Sequence, residues 1–286
     1  MPKRARMAFY GAGAGALALI AVWFATFHIA LVRRADRSIL IGFTGLQRPH
    51  LDALAQFVAT LCNPNRYVVL VAVPVIVALV RRRPRHAVAM VAIVLGANLT
   101  TQLLKPLLAA PRPIGVSGLN IDAASWPSGH ATAAMTLVLC AVLAAPARRR
   151  PVVAALMAAF SIAVCYSFLA LHWHYPSDVL GGFLVATTWA LAGAAVLLWA
   201  EARWPVRRSA GADAPREASS VGSVLRPAGA VLACGAAVVA VVALARPHTV
   251  VSYAGAHSAV VIGAAAIAAC GMAIAGAASL ALNRSR

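Results

Sequence analysis

Runs of about 20 apolar residues recur along this chain of 286 residues, and they constrain its fold more than any other feature. Such a run can cross a bilayer as a helix, because a helix pairs its backbone N–H and C=O groups internally. Hydrophobic residues make up 62% of the chain and only seven residues are acidic, so little polar surface remains for a soluble domain. The sequence therefore predicts an all-α integral membrane protein.

Eight apolar segments can be distinguished, so we expect about eight spans. The first six form a core over residues 1–200, and the last two form a transmembrane hairpin over 227–286. The polar segment 201–226, which contains proline, serine and glycine, is predicted to be a cytoplasmic linker. The segments lie at approximately 8–32, 66–80, 87–104, 130–147, 152–172, 178–200, 227–245 and 257–282.

The net charge of +18 would favour nucleic-acid binding in a soluble protein, but here the positions of the basic residues indicate topology. About two thirds of the Lys and Arg residues fall on one side when the apolar segments are threaded alternately through a bilayer. We therefore expect a multi-pass protein of the plasma (inner) membrane with both termini in the cytoplasm. The expected partners are membrane lipids, and no nucleic acid is expected.

A first polar cluster, KPLLAAPRP, covers residues 105–113 on the predicted outer face. Lys105 ends the third apolar segment and Arg112 follows seven residues later. Proline pushes the residue before it toward extended conformations, so the three prolines stiffen this loop. Two cations held at a membrane boundary suit a phosphate group. The alternative is that both side chains extend to lipid headgroups.

A second cluster on the same face, WPSGHA, covers residues 126–131 and opens the fourth apolar segment. Ser128 and the N–H groups at a helix start can form an anion site, and Gly129 lets the backbone approach a ligand closely. His130 would then lie beside a bound phosphate and could donate a proton. The alternative is a simple helix cap by Ser128 with an interfacial histidine.

A third cluster on this face, HWHYPSDVLGG, covers residues 172–182. His174 ends the fifth apolar segment and Asp178 begins the sixth. An aspartate four residues from a histidine can orient the imidazole and stabilise its charged form, which a nucleophilic histidine requires. The alternatives are a structural His–Asp contact, or a functional role for His172, which points to a different helix face.

Together the three clusters resemble the type-2 phosphatidic acid phosphatase superfamily, the membrane-integral lipid phosphate phosphatases. The family pattern is K-x6-R-P, then P-S-G-H, then S-R-x5-H-x3-D. The motifs span about 105–182, and the six-helix layout extends the resemblance to about 1–200. In this chain the motifs read Lys105-x6-Arg112-Pro113, Pro127-Ser128-Gly129-His130 and Ser167-Phe168-x5-His174-x3-Asp178.

The resemblance implies a six-helix transmembrane phosphatase core and a mechanism without metal or other cofactor. His174 would attack phosphorus and form a phosphohistidine, Asp178 would orient it, and His130 would protonate the leaving oxygen. The phosphoryl oxygens would contact Lys105, Arg112, Ser128 and the Gly129 amide. The implied substrates are lipid phosphate or diphosphate esters, either polyprenyl or glycerolipid, hydrolysed on the extracytoplasmic face.

One position departs from the family pattern, because Phe168 occupies the place of the family's phosphate-binding arginine. Losing one such contact can cost about 10²–10³ in rate. Two other functions therefore stay open from the sequence, namely a catalytically silent protein that binds lipid phosphates, and a lipid transporter. Five arginines on the same predicted face could replace the missing cation: Arg33, Arg34, Arg37, Arg48 and Arg66.

Overall fold

The computed structural model describes residues 1–45, 49–112, 121–205, 221–245 and 247–284, and within these ranges the secondary structure is helical. A short 3₁₀ turn, Ala147–Arg149, precedes α7. The α-helices are α1 (Lys3–His28), α2 (Ala30–Thr44), α3 (Pro49–Thr60), α4 (Pro64–Val80), α5 (Pro84–Leu107), α6 (Gly129–Ala144), α7 (Arg150–Ala170), α8 (Pro176–Arg203), α9 (Val221–Ala245), α10 (Pro247–Ala256) and α11 (Ser258–Arg284).

Five of the described helices are long and apolar enough to cross a membrane, namely α1, α5, α7, α8 and α11. Helices α3 and α4 meet at a bend of 60° and make a sixth candidate if they are one broken span. Helix α6 is apolar but has only 16 residues. The all-helical, multi-pass membrane fold expected from the sequence is confirmed, whereas the number of spans stays a prediction.

Helix α6 lies at the centre of the bundle, since every residue from Ala131 to Cys140 is buried. It packs against α7 and α8, and α8 also packs against α1 and α5. A buried hydrogen bond joins Tyr67 Oη of α4 to Thr136 Oγ1 of α6 at 2.6 Å. Such bonds between neighbouring helices satisfy polar groups that water cannot reach. The central position of α6 fixes the motif at its N-terminus.

The two ends of the bundle differ in chemistry. At one end, here called the basic end, Arg81, Arg85 and Arg150 donate to carbonyl oxygens of Ala144, Trp204 and Leu282. These guanidinium groups therefore cover helix C-termini, where positive charge is favourable. The three polar clusters of the sequence lie at the opposite end, here called the site end. This arrangement agrees with the predicted topology, although the side of the membrane stays a prediction.

The first apolar segment does not continue to residue 32 as one helix. Helix α1 ends at His28, Ile29 is extended with φ −97° and ψ 113°, and α2 then begins at Ala30. The buried residues Asp36, Leu40 and Phe43 of α2 recur at helical spacing. Helix α2 is therefore a separate amphipathic helix at the site end, and it brings Asp36 into the protein interior.

The C-terminal helix α11 packs against α7 and α2. Tyr166 Oη of α7 donates a hydrogen bond to the Ala264 carbonyl oxygen at 2.5 Å. The division into a core (1–200), a linker (201–226) and a C-terminal hairpin (227–286) stays a prediction, and residues 206–220 of that linker lie outside the described residues.

Candidate active site

A histidine–aspartate pair occupies the turn between α7 and α8. His174 Nδ1 lies 3.3 Å from Asp178 Oδ2, and the same oxygen accepts the Tyr175 N–H at 3.0 Å. The Asp178 N–H in turn donates to the Tyr175 carbonyl oxygen at 3.0 Å, so a capping box holds the carboxylate at the start of α8. With Nδ1–H donated to Asp178, the lone pair of Nε2 is the one available for chemistry.

The start of α6 lies directly against this pair. The Ser128 N–H donates to the Asp178 carbonyl oxygen at 3.0 Å, and Ser128 Oγ accepts the Ala131 N–H at 3.2 Å. Within the described part of the chain, the N–H groups of Gly129 and His130, the first two residues of α6, have no hydrogen-bond acceptor. Free N–H groups at a helix N-terminus attract an anion.

Helices α6 and α8 approach each other closely beside this anion site. A Cβ atom added at Gly182 of α8 would lie only 2.7 Å from the Ser128 carbonyl oxygen and 2.8 Å from the Thr132 N atom of α6. These contacts involve backbone atoms that cannot rotate away. Glycine at this position is therefore what allows α8 to bring Asp178 against the α6 N-terminus.

His130 faces His174 across the site. The ring centroids are 6.2 Å apart and the planes are inclined by 60°, so both rings can contact one small group bound between them. His130 Nε2 lies 3.0 Å from Asn63 Oδ1, just before α4. The amide oxygen accepts the Nε2 proton and leaves Nδ1 to exchange a proton with a ligand. Asn63 was not among the residues predicted from the sequence.

Lys105 brings a positive charge to the start of α6. A Cβ atom added at Gly129 would lie 3.8 Å from Lys105 Nζ and 3.7 Å from Gln102 Nε2. Gly129 therefore borders a small space between the ammonium group and the free N–H groups of α6. An anion placed there would contact both, and the phosphate-binding roles of Lys105 and Gly129 stay a prediction.

Arg112, which the sequence predicts to be a phosphate ligand, contacts protein groups in this structure, and its phosphate-binding role stays a prediction. Its Nη2 donates to Asp178 Oδ1 at 2.5 Å and to Ser125 Oγ at 2.6 Å, and its Nη1 lies 3.2 Å from Ser177 Oγ. The guanidinium also stacks over the Tyr175 ring at 4.2 Å. In this arrangement Arg112 fixes the carboxylate of Asp178, which in turn orients His174. Pro113, which completes the first motif, lies outside the described residues.

Asp36 is a second buried carboxylate in this network, and sequence reasoning missed it. Its Oδ1 accepts the Ser177 N–H at 2.8 Å and its Oδ2 accepts the Ser177 hydroxyl at 2.6 Å, while Arg112 Nη1 lies 3.5 Å from Oδ2. Burial and the nearby charge of Asp178 raise the pKa of Asp36 to about 7, against the opposing effects of Ser177 and Arg112. Asp36 is therefore predicted to change its charge near neutral pH.

Phe168 fills the position of the missing family arginine and is fully buried. Its ring lies edge-on to His174 with centroids 5.2 Å apart, and 6.0 Å from His130. This position therefore supplies apolar packing that fixes the two imidazoles, and it supplies no positive charge to a bound phosphate.

The arginines suggested as replacements lie elsewhere. Arg33, Arg34 and Arg37 of α2 line a cavity beside Arg112. Arg66 donates to Thr60 Oγ1 at 2.7 Å at the bend between α3 and α4. Arg48 lies outside the described residues. Of the cations discussed, Lys105 is therefore the one beside the α6 N-terminus.

No group of three or more His, Cys, Asp or Glu side chains comes together as a metal site within the described ranges. The two carboxylates of the site share Arg112, and both imidazoles contact protein groups through one nitrogen. Metal independence stays a prediction.

Residues 86–205 match the family model of the PAP2 superfamily, and this segment contains all seven predicted site residues. Among solved structures, the chain is similar to a transmembrane PAP2-type phosphatidylglycerolphosphate phosphatase from Bacillus subtilis. The TM-score is 0.58 and the sequence identity 20%, over 69% of this chain and 100% of that chain. No curated protein sequence matches the chain. The predicted family resemblance is thus confirmed, and at this identity the structural likeness shows the fold alone.

Proposed function

We propose that this protein is a membrane phosphatase that hydrolyses phosphate or diphosphate esters of lipids through a phosphohistidine on His174. One observation carries the proposal: His174 is paired with Asp178 and faces His130 next to the free N–H groups of α6. A site that only bound phosphate would not need two imidazoles oriented by separate acceptors. His130, His174 and Asp178 lie within the segment that matches the family model.

In the proposed first step, His174 Nε2 attacks the terminal phosphorus, an N–P bond forms, and the P–O bond to the leaving group breaks. The leaving group is the lipid alcohol of a monoester or the lipid monophosphate of a diphosphate. His130 is held by Asn63 through Nε2, takes up a proton on Nδ1 as the phosphate binds, and donates it to the leaving oxygen. Asp178 stabilises the positive charge that develops on His174. In the second step water attacks phosphorus, His130 Nδ1 takes a proton from it, and His174 leaves as inorganic phosphate forms.

The phosphoryl oxygens are proposed to contact Lys105, the hydroxyl of Ser128 and the N–H groups of Gly129 and His130. Such preorganised donors are what phosphoryl transfer mainly requires of a protein. The Ser128 hydroxyl accepts the Ala131 N–H and keeps its own proton free for this purpose. Arg112 can reach the phosphoryl group only by weakening its present contacts, of which that to Asp36 at 3.5 Å is the longest.

The substrate is proposed to be a lipid, because the site lies at an end of a bundle of membrane-length helices. Phosphatidic acid, phosphatidylglycerol phosphate and polyprenyl diphosphates all present a terminal phosphate. The similar structure from Bacillus subtilis is a phosphatidylglycerolphosphate phosphatase, so that lipid belongs in any test panel.

The site end is proposed to face away from the cytoplasm of a plasma (inner) membrane, because the basic end carries the arginine-rich connections. A thiol reagent that does not cross membranes tests this with two variants at exposed positions, Asp122→Cys at the site end and Arg148→Cys at the basic end. Labelling of the first in intact cells, and of the second only after permeabilisation, is expected. The reverse pattern would invert the topology.

A silent lipid-phosphate-binding protein is the second candidate, and Phe168 favours it. A fully buried phenyl ring stands where the family uses a cation, and Arg112 is held by two carboxylates. Both features reduce the positive charge available to a transition state.

Phosphate release from a panel of the three lipids, measured in detergent with and without EDTA, separates the two candidates. EDTA-resistant release that His174→Ala abolishes and His172→Ala retains would support hydrolysis through His174. His172 lies two residues away in the same turn and is the matched control. Binding of the lipids by folded protein without any release would instead support the silent binder.

A further inference from the structure

A cavity of about 710 Å³ lies beside the candidate active site, between the end of α1, the start of α2 and the end of α5. Arginines dominate its charge, with Arg33, Arg34 and Arg37 contributed by α2 and Arg112 by the segment after α5. Asp36 is the one carboxylate among the lining residues. The cavity is therefore strongly basic, and of its four arginines only Arg112 belongs to one of the three polar clusters of the sequence.

The arginines of α2 are not neutralised by the described part of the chain. Arg33, Arg34 and Arg37 are exposed, and none forms an ion pair with a described carboxylate. Arg33 Nη1 donates to the neutral Phe27 carbonyl oxygen at 2.6 Å, which keeps its charge near the cavity. The carboxylate of Asp36 is turned to Ser177 and Arg112. Three positive charges thus remain for a ligand.

The opposite wall of the cavity is aromatic and apolar. Trp23 and Phe27 come from the last turns of α1, and Leu107 and Leu108 come from the end of α5. Both helices have the length and composition of membrane spans. The cavity therefore lies where two spans end, with aromatic side chains of the kind that favour the boundary between headgroups and acyl chains. Such a cavity suits an anionic headgroup joined to an apolar tail.

The cavity is distinct from the candidate active site. His130, His174, Lys105 and Ser128 do not line it, whereas Arg112, Asp36 and Tyr175 contribute to both. A ligand in the cavity would therefore contact the arginines of α2 without reaching the histidine that is proposed to react.

We propose that this cavity binds the phosphate group of an intact anionic phospholipid, a phosphodiester that is not the substrate. Arginine donors match phosphate oxygens in a forked geometry, and three guanidinium groups favour a headgroup with net negative charge over a zwitterionic one. The acyl chains lie along the apolar wall. This site is separate from the proposed hydrolysis and does not depend on it.

The test measures binding of phosphatidylglycerol, phosphatidylcholine and inorganic phosphate to the full chain in detergent by native mass spectrometry. The key variant is Arg33→Gln/Arg34→Gln/Arg37→Gln. The matched control is Arg4→Gln/Arg148→Gln/Arg149→Gln, which removes three exposed charges elsewhere. Lys105→Gln serves as a second control because it removes a cation of the candidate active site. Thermal unfolding midpoints verify that each variant is folded.

Phosphatidylglycerol is expected to bind more tightly than phosphatidylcholine. The key variant is expected to weaken phosphatidylglycerol binding at least about tenfold, since each arginine near a lipid surface contributes a several-fold factor in affinity. Both controls should retain most of the affinity. Single Arg34→Gln and Arg37→Gln variants, each weaker by several-fold, carry the test if the triple variant does not fold. Equal weakening in the matched control, no weakening in the key variant, or binding of inorganic phosphate without lipid preference would each overturn the proposal.

Discussion

Asp36→Asn is the substitution that tests the buried network most sharply. Burial and the charge of Asp178 raise the pKa of Asp36 from its ordinary 3.8 to about 7 in the folded protein. The unfolded chain loses this proton near pH 4, whereas the folded protein keeps it until about pH 7. The proton therefore stabilises the folded state fully below pH 4, and this contribution is lost as the pH rises through 7.

The size of this stabilisation follows from the difference of about three pKa units between folded and unfolded protein, at about 1.4 kcal/mol for each unit. The whole contribution is about 4 kcal/mol, of which about 2–3 kcal/mol is lost between pH 5 and pH 8. Asparagine cannot titrate, so the variant lacks this loss. It should gain stability relative to the wild type by that amount as the pH rises, which corresponds to roughly 5–10 °C in the unfolding midpoint.

The assay compares thermal unfolding midpoints of the wild type and Asp36→Asn in the same detergent at pH 5 and pH 8. Asp122→Asn is the matched control, since Asp122 is an exposed carboxylate at the same end of the bundle. The midpoint difference between Asp36→Asn and the wild type is expected to grow toward pH 8. A difference that stays constant, or that grows toward pH 5, would show that Asp36 does not hold a proton in the folded protein.

Three further predictions concern the contacts of the site. Gly182→Ala should lower the unfolding midpoint by an amount equivalent to about 1–3 kcal/mol, because its Cβ would press on backbone atoms of α6. Gly129→Ala should leave the midpoint nearly unchanged and reduce phosphate release. Equal midpoints for the two variants would contradict this packing. Asn63→Ala should change the pH profile of kcat, because His130 loses its acceptor at Nε2, and an unaltered profile would remove Asn63 from the account. Arg112→Lys should destabilise the protein by about 3–5 kcal/mol and reduce phosphate release, since one lysine ammonium cannot make all the contacts of the buried guanidinium. A stable and active variant would refute the role of Arg112 in positioning Asp178.

The membrane fold was predictable because its signal is local. An apolar run of about 20 residues has few alternatives to a spanning helix, and the basic connections separate the two ends of the bundle. The break at Ile29 was not predictable, because the apolar run continues through it to residue 32. Only the packing of the amphipathic face of α2, with Leu40 and Phe43 buried, accounts for a separate helix there.

The motifs made it possible to predict that three of the candidate site residues lie close together. The structure brings the predicted His130, His174 and Asp178 together because each lies within a few residues of a helix end at the same end of the bundle. Asp36 and Asn63 were missed because they reach the site through contacts across 141 and 67 residues of sequence. Neither residue belongs to a motif, so no spacing in the sequence marks it.

The protein contacts of Arg112 could not be predicted from its motif. The sequence indicated a cation at a phosphate-binding position, and it could not show that two carboxylates would already contact that cation. One of them, Asp36, lies on α2, a helix that the sequence analysis did not predict. The motif thus predicted the position of the guanidinium, and its partners followed only from the packing of α2 against α8.

The most direct test of the proposed mechanism is to trap the covalent intermediate. The protein is mixed with a lipid labelled with radioactive phosphate, quenched within one turnover in alkali, and digested, and the label is located by mass spectrometry. A phosphorylated histidine at residue 174, acid-labile and absent from His174→Ala but present in His172→Ala, is the predicted result. Hydrolysis of the lipid without any label on the protein, or with the label on another residue, would contradict the central claim.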